Sequence, residues 1–91
     1  MIDLSPDSMD GDAQEIEALV LTVHRRNGGK VTILDWNWRL LDAALGLDSL
    51  DLAEVVAGIE RRFGISLFDQ PSPPHTWEDV KRLVMASRSR A

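Results

Sequence analysis

The sequence predicts an all-α domain of three long helices, with space for at most one short helical turn beside them and a long ordered loop between the first and second. Three observations predict it. Apolar residues recur at steps of three and four in three separate segments, the spacing that lines one face of a helix. Asparagine, glycine and proline stand at the edges of those segments. The one stretch that looks like a strand, Val31-Thr32-Ile33-Leu34, has no second strand with which to pair.

The first helix is expected over residues 12–25, where Ile16, Leu19, Val20 and Val23 form the stripe. Asp12 is placed to cap it, Glu15 follows three positions on, and Asn27-Gly28-Gly29 ends it. Before it, residues 1–11 hold aspartates, serines, Pro6 and Gly11 with few apolar side chains, and read as a loose tail. Residues 30–47 read as a loop tied down by Leu34, Trp36, Leu40, Leu41 and Leu45. The second helix, Ser49 to Phe63, carries the clearest stripe: Leu52, Val55, Val56, Ile59 and Phe63. Asp48 suits its N-cap, Asp51 lies three residues on, Gly64 suits its stop, and Arg61 and Arg62 complement the negative end of its dipole. Pro71, Pro73 and Pro74 confine any helix after Ile65, Leu67 and Phe68 to one short turn. Thr76 then caps a last helix over residues 77–86, with Val80, Leu83 and Val84 inward, and residues 87–91 are expected to fray.

A chain of 91 residues has room for one such domain, placed at residues 12–86. No apolar run approaches the roughly 20 residues needed to cross a bilayer, and the acidic first dozen residues are unlike a secretory leader, so a cytoplasmic protein is expected. Cysteine is absent, which excludes disulfides and thiolate metal sites, and the two histidines, His24 and His75, read as lone surface residues with no ligand set around them; no metal is expected. The charge is polarised: residues 1–60 hold twelve acids against four bases, or −8, and residues 61–91 hold three acids against six bases, or +3. The only basic clusters are pairs, Arg25 with Arg26, Arg61 with Arg62 and Lys81 with Arg82, so a basic protein surface is a better partner than nucleic acid.

The residues that carry chemistry lie in Leu45-Gly46-Leu47-Asp48-Ser49-Leu50-Asp51-Leu52-Ala53-Glu54-Val55-Val56. Asp48-Ser49 alone also suits any helix start. The whole stretch, continued by Ile59-Glu60, Phe63-Gly64-Ile65 and Thr76-Trp77-Glu78-Asp79-Val80, resembles the acyl carrier protein family over roughly residues 12–86. The resemblance implies a four-helix bundle, three helices long and one short. It implies a non-enzyme that holds acyl groups as thioesters on 4'-phosphopantetheine, taken from coenzyme A and attached to Ser49. No histidine lies near Ser49, so a separate phosphopantetheinyl transferase would supply the general base and a magnesium ion. The added phosphate would meet the positive end of the helix dipole, opposed by the neighbouring Asp48.

Asp42, Asp48, Asp51 and Glu54 make an acidic rim around Ser49. Solvation and dipole complementation suffice to explain it. The resemblance adds recognition of acyl-transferring enzymes with basic surfaces, and Leu50, off the core stripe, adds an apolar contact at the centre. A monomer is expected. Arg61 and Arg62 interrupt the acids after Glu60, the prolines shorten the third helix that would help shelter an acyl chain, and Trp36, Trp38 and Trp77 are many for so small a carrier. These departures favour a specialised fatty-acid, lipid or polyketide pathway. Alternatives are a peptidyl or aminoacyl carrier, though Gly46-Leu47-Asp48-Ser49 differs from the Gly-Gly-His-Ser common there, and a carrier-like interaction module that is never modified.

Overall fold

Helix α1, Ser8–Arg26, is the element against which α2, Ser49–Phe63, and α3, Trp77–Ser89, both pack. The computed structural model describes residues 8–89, with side chains over residues 11–87. The described residues are helical with no strand beyond an isolated bridge, and they contain three helices. The short fourth helix is not among them: Ile65 to Ser72 passes through bends and turns before the proline pair Pro73-Pro74, where the missing amides and fixed φ leave no place for a helical ladder.

Both ends of α2 are closed as the sequence predicts. The Asp48 carboxylate accepts from the Asp51 amide at 2.8 Å, and the Asp51 carboxylate accepts from the Asp48 amide at 3.2 Å. At the other end Gly64, at φ 70°, takes the left-handed conformation that costs a residue without Cβ nothing, and its N–H donates to Glu60 O. Thr76 caps α3, its hydroxyl accepting from the Asp79 amide while Asp79 accepts from the amides of His75 and Thr76. The helix runs on through residues 87–89, past the expected fraying point, and residues 90–91 lie outside the described part.

The start of α1 differs from expectation. The helix begins at Ser8, so Asp12 is buried in its interior instead of capping it, and residues 8–11 are helical instead of a tail. One glycine, Gly11, costs about 1 kcal/mol against alanine, which weakens a propagating helix without stopping it. The rest of the expected tail, residues 1–7, lies outside the described part. Glu15, freed from any capping box, pairs instead with Arg62 and ties α1 to the far end of α2.

The core joins Ile16, Val20 and Val23 of α1 to Val55, Val56 and Ile59 of α2 and Val80 and Val84 of α3. Leu34, Leu40, Leu45 and Leu47 enter it from the long loop, each buried aliphatic side chain stabilising by about 1.5–3 kcal/mol. Leu41 does not: Leu40 turns inward, its amide bound to His75 O, and its neighbour is left exposed. The loop is also laced to the start of α3, because Trp77 N–H donates to Trp38 O at 3.1 Å and Glu78 N–H to Trp36 O at 2.7 Å. Trp77 is fully buried, and Trp36 and Trp38 are half-buried against the core, with Lys81 Nζ 4.7 Å from the centre of the Trp36 ring. All three tryptophans thus serve packing, and none is an exposed partner contact.

Candidate functional site

Ser49 is the first residue of α2, exposed, with no hydrogen bond to its hydroxyl among the described residues. Its place follows from the chain before it. Leu45 and Leu47 are buried, Gly46 turns between them at φ 63°, and Asp48 caps, so the hydroxyl emerges where the buried approach ends. Beside it runs a shallow groove of about 310 Å³ lined by Ser49, Leu52, Ala53, Val56, Ala57 and Phe68. The groove is apolar because small residues on α2 leave space, and Phe68 closes one side. Glu60 at its margin accepts from the Leu67 amide at 2.8 Å, which fixes the segment that presents Phe68.

Leu50 is 80% exposed, so it stands off the core as its position outside the stripe predicts. The four acids divide. Asp48 and Asp51 are joined by the capping box; Asp51 and Glu54 are joined through α1. Asp42 lies apart in the loop, where its carboxylate accepts from the Ala44 amide and its carbonyl from the amides of Leu45 and Gly46, a turn of its own. Asp51 and Glu54 are less bare than their sequence positions suggest. Arg26, the last residue of α1, holds Glu54 with two prongs at 2.9 and 2.7 Å and lies 3.8 Å from Asp51, and Asn27 Nδ2 donates to Asp51 at 2.8 Å. The Asp48 amide, then Asn27, hold the Asp51 carboxyl below its ordinary range; Arg26 does the same to Glu54.

His24 was expected at the surface and is buried. Its Nδ1 donates to Leu45 O at 2.8 Å and its Nε2 accepts from Val31 N–H at 2.9 Å, so one imidazole closes both ends of the loop that leads to Ser49. Gly29 makes this possible: a Cβ there would stand 2.0–2.4 Å from ring atoms of His24. The pair Gly28-Gly29 was the only local signal; one glycine suffices to end a helix, and the second serves the close approach. Arg26 and Asn27 carried no signal, since their partners lie 28 and 24 positions away.

The site thus offers one exposed, unengaged hydroxyl on a rigid helix start, next to an apolar groove and acids, and with no histidine beside it to act as base. These residues fit a group attached from outside. Searches among curated proteins and solved structures found no match. Residues 32–70, which hold most of the loop, Ser49 and all of α2, match the family model described as the phosphopantetheine attachment site.

Proposed function

We propose that the chain is an acyl carrier in which Ser49 bears the 4'-phosphopantetheine and the face formed by Asp48, Leu50, Asp51 and Glu54 docks basic partner enzymes, with Asp42 at its edge. The observation that carries the reading is the exposed, unengaged hydroxyl of Ser49 beside a doubly bonded cap, inside the stretch that matches the attachment-site family. When bound, the group supplies a flexible arm ending in a thiol that carries an acyl group as a thioester. The chain's own part is to present the hydroxyl and offer a docking surface, while catalysis belongs to the partners. Exposed Leu50 among carboxylates gives a small apolar centre with a charged surround, a surface for fast and salt-sensitive encounters. An acyl cargo agrees with the apolar groove at Ser49, and a specialised lipid, fatty-acid or polyketide pathway agrees with Arg61, exposed where acids would extend the docking face.

Incubation with coenzyme A and a broad-range phosphopantetheinyl transferase tests the attachment. The expected result is a mass gain of one phosphopantetheine that is lost in Ser49→Ala. No gain, or a gain that survives the substitution, overturns the reading.

A further inference from the structure

Two of the acids on the proposed docking face already have a cation. Arg26 reaches from the end of α1 across to α2 and holds Glu54 by both guanidinium prongs with Asp51 close by. The pair is open to water: the Arg26 side chain is 52% exposed and the Glu54 side chain 54%. A solvent-exposed pair of this kind contributes little to stability, so it forms and breaks easily and is ill suited to hold the fold together. What it does change is the charge seen by an approaching partner. Asp48, Asp51 and Glu54 together with Arg26 carry −2 where the acids alone carry −3. The oxygens a partner's cation would need are those Arg26 occupies.

We propose that Arg26 is an internal competitor on the docking face, weakening the hold of basic partners by occupying the Glu54 and Asp51 carboxylates until a partner's own arginine or lysine displaces it. This rests on the docking surface proposed above and deepens it. The partner it selects is one whose cation can reach the Glu54 fork and displace the guanidinium, and surfaces with sparse positive charge are held off. For a carrier that must leave one enzyme to reach the next, a cation that re-forms its own pair also speeds departure.

The test measures kcat/KM for phosphopantetheine transfer from coenzyme A to Ser49 by a transferase with a basic docking face, across a salt series. Arg26→Gln is expected to raise kcat/KM by about two- to fivefold at low salt, the range set by the strength of exposed ion pairs, and to steepen the fall with salt. Arg25→Gln is the control: it removes the same charge one residue away, from an exposed arginine with no ion pair among the described residues, and should give a smaller gain. In a Glu54→Gln background the gain from Arg26→Gln should shrink. Arg26→Lys, which keeps the charge but not the two-pronged geometry, should fall between, and serves if Arg26→Gln lowers the melting temperature. If Glu54→Gln slows transfer but Arg26→Gln leaves it unchanged or slows it, the competitor is overturned and the docking surface stands. An equal gain from Arg25→Gln makes the effect one of net charge and also overturns the competitor. If neither salt nor Glu54→Gln alters transfer, the docking surface itself fails and the competitor with it.

Discussion

The contact between Gly29 and His24 makes a large effect expected from one methyl group. Gly29→Ala would put a carbon 2.0–2.4 Å from ring atoms of an imidazole bonded through both nitrogens, far inside van der Waals contact. The ring must leave, and with it go two hydrogen bonds worth about 1 kcal/mol each, more where the Leu45 carbonyl stays buried without a partner. Gly29 is not in the left-handed region, so alanine recovers about 0.4–1 kcal/mol by restricting the unfolded chain. The balance is a loss of about 2–3 kcal/mol, or about 10–20 °C in melting temperature for a domain of this size. Circular dichroism melts and urea titrations of wild type, Gly29→Ala, His24→Ala and the double variant measure it. With the ring removed, the alanine should cost nothing or stabilise slightly, a coupling of about 2 kcal/mol between the sites. A Gly29→Ala cost below about 0.5 kcal/mol, or an equal cost in both backgrounds, refutes the His24 closure as a source of stability.

Two further outcomes follow from buried and charged groups. The buried Trp77 Nε1–H finds no hydrogen-bond partner among the described residues, so Trp77→Phe removes an orphan donor along with some volume. It should cost less than about 1.5 kcal/mol in a urea titration, against about 3–5 for Trp77→Ala; equal costs would show the indole N–H to be satisfied. The carboxyls of Asp51, Glu54 and Asp79 lie below their ordinary range, held there chiefly by the Asp48 amide, Arg26 and the His75 amide. A depressed folded-state value means stability that is full above the unfolded carboxylate range near about 4 and lost as pH falls through the folded values. Melting temperature should therefore drop as the solution is acidified below that range, less steeply in Asp79→Asn, and an acid profile identical in the two proteins would contradict the capping role of Asp79.

What could be read from the sequence is what neighbouring residues decide. The second helix was legible because Asp48, Asp51 and Gly64 act within one turn of its ends and its stripe is unbroken, and Thr76 announced α3 in the same way. Ser49 was legible because it opens that helix. The start of α1 was not, because Gly11 looks like a break and the acid after it looks like a cap. Leu41 and Leu40 are indistinguishable by composition, and only the tie of the Leu40 amide to His75, far along the chain, turns one inward and the other out. His24 could not be told from a surface histidine because the carbonyl it meets lies 21 positions away. The clasp of Arg26 on Glu54 was hidden for the same reason, although both helix ends were placed correctly.

The imidazole that joins Val31 to Leu45 also partitions the chain topologically. Everything between those two residues is a lobe whose ends meet at one side chain, while the path from Leu45 to Ser49 is a fixed tether of four steps. Lengthening such a lobe costs little, about 0.6 kcal/mol per doubling of a flexible loop. Insertions near exposed Thr32 and Ile33, clear of the tryptophans laced to α3, could therefore accumulate while the position of Ser49 stays constant. The chain has in this way separated the part of its loop that evolution can lengthen from the part that must keep its measure.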